Sequence, residues 1–519
     1  MSRDRIHRLI FLFSLLLFVT GIPFCRPLMS FGLILLSANW LAEGNFGWKW
    51  QQMRNNRILW VCLLLYAVHL AGLLYTRNLP YALTDLTIKL PLLLLPLFFA
   101  TTRPLNKKEL EILLKIYLFA VCCSALIGWI NLMNHPEITD KREVAMHISY
   151  IRFELNLCFG FFVALYFLVM ETGGRRRKPA MFCLLLAMLW LSGMTFHIGG
   201  LTAIFLGFVC LLFLAFKASR RLPNPALRTG VPMLIAAGTL ALLLIAANSM
   251  HKYAHVPQEN RTQERLTANG RPYATPLEQY GIEHGQYVFA NLCEEELSAA
   301  WNQRSSLPYD GMSNDENHHI RSTLIRYLNS KGLRKDSAGM AELDDKDIEA
   351  IENGIADANY TSSGVKARYY ETLRDLSLYL QGLEVSGSIP RRFEMWRISW
   401  ITFTRSPLIG TGTGDVKDEL EMDLHKQESP VLGVLVRSHN QYFSFGIAFG
   451  VVGLAVILFS LLYPPFASGR FRNTLYQLFL IIFLLSMLAD DPMERQDGVT
   501  LFAFFNSLFL FLLPNDNEA

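Results

Sequence analysis

The chain has 519 residues, of which 52% are apolar and only 18% charged. A soluble domain carries about 25% charged residues, so this composition excludes a disordered chain, a collagen-like chain and an ordinary soluble enzyme, and points to a polytopic membrane protein. The net charge of +4 hides a split: residues 251–437 hold 21 Lys and Arg against 28 Asp and Glu, and the remainder holds 27 against 16.

Twelve hydrophobic segments follow in chain order, at 8–21, 27–42, 57–75, 81–100, 110–132, 148–170, 180–194, 199–217, 230–249, 438–463, 473–489 and 498–513. A bilayer span needs about 20 apolar residues; the first two, the seventh and the last are short. The first, preceded by Arg3, Arg5 and Arg8, has the look of a signal peptide. No small-x-small cleavage site follows it, so it is expected to stay as a helix. A cytoplasmic N-terminus places 19 Lys and Arg in the inside segments and 5 in the short outside loops, which is the positive-inside asymmetry. The expected fold is therefore an all-α polytopic membrane protein of about twelve spans. Residues 1–249 form nine of them, 250–437 form one large, mostly helical periplasmic domain, and 438–519 form the last three spans and a cytoplasmic C-terminus.

Within 250–437, helices are expected at 289–304, 318–331 and 365–382. In the last, Tyr369, Leu373, Leu376, Leu380 and Leu383 form one apolar stripe at helical spacing. Asp344 and Asp345 ahead of Ile348 and Ile351 read as a capped helix start. The eight cysteines include no pair at zinc spacing. Neither a disulfide framework nor a metal site is expected. The short cytoplasmic loops carry no P-loop and no dinucleotide or kinase fingerprint, so chemistry belongs to the outer face and no cofactor is implied. Cations gathered in short loops, rather than on a soluble domain, also argue against nucleic acid as a partner.

Several polar residues converge on that face. Asp85 and Lys89 sit one helical turn apart near the outer end of the fourth span, as a functional pair or as a mutually neutralised packing pair. Arg152, close to Glu154, opens the sixth span, as a ligand-binding cation or an interfacial snorkel. Arg392 and Trp396 lie on a helical stretch. The turn holding Gly410, Gly412 and Gly414 either aims N–H groups at an anion or is simply tight. Arg437, His439 and Asn440 stand at the mouth of the tenth span. Gly446, Gly450 and Gly453 beyond them would let another helix pack closely. Asp490, Asp491 and Glu494 fill the last outer turn, as a solvated loop or as carboxylates that orient His439 or a sugar. Arginine suits a diphosphate through its planar fork, and a histidine can take a hydroxyl proton near neutral pH.

In order and spacing, Arg392-Phe-Glu-Met-Trp396, Ser406-Pro407-Leu-Ile-Gly410-Thr-Gly412-Thr-Gly414 and Ser438-His439-Asn440-Gln-Tyr442 resemble the O-antigen ligase family, whose superfamily includes O-antigen polymerases. The resemblance implies a metal-independent glycosyltransferase on the periplasmic face of a Gram-negative inner membrane. It would move a glycan from undecaprenyl diphosphate to a lipid A–core acceptor. By the family pattern His439 and Arg392 are the catalytic residues. Arg437, Arg152, Lys89, Gly410, Gly412 and Gly414 would bind substrate, and Trp396, Asn440, Asp490, Asp491 and Glu494 would support them. Many members carry Ser-Arg before the eighth span; here 195–200 holds His197 and no Arg, so Arg152 or Lys89 would replace that cation. The rivals are a polymerase of the same superfamily, a transporter, which the absence of two related halves disfavours, and a non-catalytic envelope scaffold.

Overall fold

The computed structural model describes residues 2–134, 148–170, 201–257, 264–274, 281–361, 364–383, 385, 387–433 and 436–514. The protein is a mostly helical membrane protein. Seven of the described helices are long and apolar enough to cross a membrane. In chain order the first nine helices among the described residues are α1 (Arg3–Phe24), α2 (Arg26–Glu43), α3 (Phe46–Asn55), α4 (Arg57–Ala71), α5 (Leu79–Ala100), α6 (Lys107–Asn134), α7 (Tyr150–Met170), α8 (Leu201–Ser219) and α9 (Pro225–Ala254). The long apolar spans are α1, α4 with its following turn, α5, α6, α7, α9 and the later Gln441–Ala467. Ala203–Ser219, Thr474–Ala489 and Gln496–Leu512 are shorter apolar helices. The expected segment 27–42 forms α2, and α3 is an additional short helix beside it. The expected seventh segment, and the 195–200 turn with His197, lie outside the described residues.

The chain divides into two compact units. The first unit comprises Met1–Leu214 and Met395–Ala519. Its core is aromatic: Phe159 lies 5.2 Å from Phe479 and 4.9 Å from Phe505, and Tyr117 packs edge-on against Phe505. Lipid is as apolar as these rings, so dense packing and ring geometry, not exclusion from water, hold such helices together.

The second unit, Ala215–Glu394, carries α9 and the polar segment. Helices α10 (Glu294–Arg304), α11 (Ile320–Ser330), α12 (Ser337–Ala341) and α13 (Asp345–Glu352) surround a core of Trp301, Leu297, Leu324, Leu328 and Ile351. The expected start at Asp344 is present as a reciprocal cap with Asp347. The unit is mostly helical, as expected, with one small hairpin, β1 (Ile282–Glu283) paired antiparallel with β2 (Gln286–Tyr287). The hairpin contacts α14 (Gly364–Leu380). Ser377 and Gln381 hydrogen-bond to the backbone of Ile282. The helix buries Leu373, Ser377 and Leu378, while Tyr369, Leu380 and Leu383 stay exposed. Of the expected stripe only Leu373 is buried, and the polar Ser377 shares the inward face with it.

Candidate active site

Five α-helices remain among the described residues: α15 (Ser388–Arg405), α16 (Val416–Lys426), α17 (Gln441–Ala467), α18 (Thr474–Ala489) and α19 (Gln496–Ser507). Asn440 caps α17: its side-chain oxygen accepts from the N–H groups of Tyr442 and Phe443, and its amide donates to the Leu488 carbonyl. This is why an asparagine directly precedes the long apolar run. The residue before it, His439, has φ 49°, a left-handed conformation uncommon outside glycine and costing about 1–3 kcal/mol. Its neighbours hold it there. Ser438 Oγ donates to the Asn440 carbonyl and lies 2.6 Å from Ser444 Oγ, and Trp396 Nε1 donates to the His439 carbonyl at 3.2 Å. Gln441 N donates to the Asp490 carbonyl at 3.1 Å, tying the start of α17 to the end of α18.

The imidazole therefore faces the 490–495 loop. His439 Nδ1 is 3.8 Å from Asp490 Oδ1, beyond hydrogen-bond length, and has no other partner. Arg152, 2% exposed, binds the other Asp490 oxygen and donates to the Asp491 carbonyl at 2.9 Å. Burial opposes the charge of Asp490, but the Arg152 guanidinium, with His439 nearby, holds its carboxyl below the usual range. Asp491 goes the other way. Burial and the adjacent Asp490 raise it to about 8, against the pull of Arg437, 3.9 Å away. Burial also opposes the charge of Glu494, yet Lys89 and the Gln441 amide keep its carboxyl low.

No metal-ligand spacing is legible in the sequence, but His439, Asp490 and Asp491 present ligand-type atoms within 4.8 Å of one another. Two guanidinium groups, Arg152 on Asp490 and Arg437 beside Asp491, already supply positive charge at that point.

A cavity of about 400 Å³ adjoins this turn, lined by His69, Tyr81, Asp85, Lys89, Lys417, Arg437, Ser438, Phe445, Phe449, Asp491 and Glu494 among others. Its lining includes the residues just before His439 but not the imidazole. Residues 356–458 match the family model for O-antigen ligase. This stretch is similar to the O-antigen ligase family. The same chain is 28% identical over 113 residues to an uncharacterized protein of Haemophilus influenzae, covering 21% of this chain and 28% of that one. The chain thus matches less than a third of that relative's length.

Within the matched stretch the structure separates the sequence candidates. Arg437, His439, Asn440 and Trp396 come together, and their neighbours Asp490, Asp491 and Glu494 join them. Gly410, Gly412 and Gly414 do not form an anion cradle. The N–H groups of Gly410, Thr411, Gly412 and Gly414 are spent on Ser406 O, Ile447 O, Ala448 O and Thr76 Oγ1. Glycine is required because a Cβ at Gly410 would lie 2.3 Å from the Ala448 carbonyl carbon, and one at Gly414 would lie 2.1 Å from Asn78 O. Nor does Gly450 continue a smooth helix face. Its φ of 63° breaks α17, and the opened backbone bonds to 407–412, with Val451 N on Pro407 O and Thr411 N on Ile447 O.

Arg152 is paired with Asp490 and does not line this cavity. Lys89 is paired with Asp85 at 2.5 Å and with Glu494 at 3.5 Å, which is the packing-pair alternative with a third member. Arg392 lies four residues before Trp396 on α15, within the second unit. Sequence reasoning missed His69, Tyr81, Lys417, Gln441 and Asp415. Gln441, fully buried, bridges Glu494 and the Met493 N–H, and Asp415 accepts from the N–H groups of Arg77 and Asn78. The available signal for His69 was an ionisable residue within an apolar run.

Proposed function

We propose that the protein transfers a glycan from undecaprenyl diphosphate to a hydroxyl of a lipid A–core acceptor, on the periplasmic face of a Gram-negative inner membrane, with inversion and without a metal or nucleotide. The observation that carries this reading is the His439 turn. A strained histidine within the stretch that matches the O-antigen ligase family is backed by a buried carboxylate and stands beside a cavity with a half-buried arginine. In this reading Asp490, fixed by Arg152, favours the proton on Nδ1 and leaves Nε2 free as the general base. Nε2 takes the acceptor hydroxyl proton as the oxygen attacks the anomeric carbon. The Asp490 carboxylate then stabilises the imidazolium, a task for which it must stay ionised. Arg437 stabilises the diphosphate as charge grows on the departing oxygen. The leaving group is already anionic, so no strong general acid is needed, and the lipid diphosphate supplies the activation.

The test uses the full chain in nanodiscs with lipid-linked glycan and lipid A–core, in EDTA and without ATP. The expected result is glycosylated lipid A–core at the rate seen without chelator. An absolute requirement for a metal ion would make the His439, Asp490 and Asp491 cluster a cation site and overturn the mechanism. Extension of the lipid-linked glycan itself, with lipid A–core untouched, would make the protein a polymerase.

A further inference from the structure

The buried end of the cavity differs from its open side. His69 is 1% exposed, and its Nδ1 lies 2.7 Å from the Leu65 carbonyl oxygen. A carbonyl only accepts, so Nδ1 carries the proton and Nε2 is a bare acceptor. That Nε2 atom is buried and has no partner. The ring cannot turn away freely, because Phe449 and Phe445 pack edge-on against it at 4.8 and 5.9 Å. Asp85, 5% exposed, gives Oδ1 to Lys89, while its Oδ2 is also buried without a partner. Glu494 takes the remaining donors, Lys89 at 3.5 Å and the Gln441 amide at 2.7 Å. Two carboxylates thus share one ammonium, and two acceptor atoms remain open. Leaving such atoms unmet inside a protein is costly, and a diphosphate, which brings only acceptors and negative charge, would worsen the mismatch. The cations suited to phosphate, Arg437, half-buried beside Asp491, and the exposed Lys417, line the same cavity.

Building on the glycan-transfer reading, we propose that the buried end is a hydroxyl-binding subsite. Sugar O–H groups donate to His69 Nε2 and Asp85 Oδ2, while the phosphates stay with Arg437 and Lys417. The sugar belongs either to the donor glycan or to the acceptor, and both present the same chemistry. Specificity of this kind is strong, because a ligand lacking the hydroxyl leaves the protein acceptors unpaired.

The experiment titrates the full chain in detergent with three probes: undecaprenyl diphosphate, undecaprenyl diphosphate–N-acetylglucosamine and lipid A–core. Tryptophan fluorescence gives Kd for wild type, His69→Phe and Asp85→Asn. Phenylalanine keeps the edge-on packing, so His69→Phe remains informative where Asp85→Asn disturbs the Lys89 pair. Each lost hydrogen bond should weaken the sugar-bearing probe about threefold to tenfold and leave undecaprenyl diphosphate unchanged. Loss confined to the lipid-linked sugar assigns the subsite to the donor, and loss confined to lipid A–core assigns it to the acceptor. Unchanged affinity for both sugar probes in folded variants means that the end holds only water and overturns the subsite, with the transfer reading intact. An equal loss for bare undecaprenyl diphosphate makes it a phosphate site and likewise overturns it. A wild-type protein that binds neither sugar probe removes the transfer reading and the subsite together.

Discussion

The glycine-rich turn at 407–414 and the turn at Ser438–Asn440 both break regular backbone in the first unit, and both use positive φ. At Gly410 and Gly412 the φ values are 74° and 105°, and at His439 the value is 49°. The first turn spends its N–H groups on α17 and on Thr76. The second spends its backbone on capping and leaves an imidazole nitrogen without a partner. A strained conformation filled by glycine serves close approach of two chains, whereas the same conformation imposed on a histidine has to be maintained by clamps around it. Strain that glycine would relieve is retained where the side chain has a task.

Substitutions in the two turns should therefore fail differently. His439→Ala should lower transfer per folded molecule by about 10²–10⁴-fold, the usual range for a general base. His439→Gly should lose as much activity yet melt no lower than His439→Ala, since glycine accepts the left-handed backbone. Gly450→Ala should do the reverse. Its Cβ would sit 2.2 Å from the Leu408 carbonyl carbon, so yield of folded protein should collapse, while the surviving fraction keeps near-normal turnover. Measured rate per folded enzyme separates the two classes, and a rate loss without a yield loss in Gly450→Ala would erase the distinction.

The next largest effect tests what holds the histidine. Asp490→Asn keeps the shape but removes the charge facing His439 and Arg152. Transfer should fall about 10–100-fold through a poorly stabilised imidazolium. Stability should fall too, because Arg152 is left buried without its counterion, a defect costing about 3–5 kcal/mol. Asp490 acts through His439, so the loss should fall on kcat per folded enzyme and leave KM in place. A purely structural role would lower the amount of active enzyme and leave kcat per folded molecule unchanged. Asp415 provides the contrast on the glycine side. It accepts the N–H groups of Arg77 and Asn78 at 2.8 and 2.7 Å, so Asp415→Ala should cost about 2 kcal/mol and leave the rate per folded molecule unchanged.

These differences also show how far the sequence could be read. Asn440 before an apolar run announces a helix cap, and the Arg-Trp, glycine and His-Asn order is visible along the chain. Whether a glycine turn offers or spends its N–H groups is invisible, because its partners, Ile447, Ala448 and Thr76, are set by tertiary packing. Arg152 and Asp490, 338 residues apart, could be listed as candidates but not paired. The inward face of α14 is only partly the apolar stripe, since Ser377, which bonds to the Ile282 backbone, is buried beside Leu373. His69 carried no spacing signal at all, since one histidine in an apolar segment does not say what its ring faces.

The smallest effect concerns the two adjacent carboxylates, which separate in opposite directions. Asp490 is held low, so its contribution to stability is present above the ordinary aspartate range, about pH 4, and is lost as pH falls below it. Asp491 is raised to about 8 by burial and by Asp490. Between about pH 4 and 8 the folded state keeps a proton on Asp491 that the unfolded chain releases. The folded state then binds more protons, so stability falls as pH rises through that window and levels off above it. Asp491→Asn keeps a neutral side chain at every pH. The melting temperature of the wild-type protein should therefore decline from pH 5 to pH 8 more steeply than that of Asp491→Asn, with the variant the more stable at pH 8. Asp490→Asn should lessen the same decline, because it removes the neighbouring charge that raises Asp491. Parallel curves for wild type and Asp491→Asn would mean that Asp491 is ionised throughout, stabilised by Arg437, and the loop would then present two charged carboxylates to His439 instead of one.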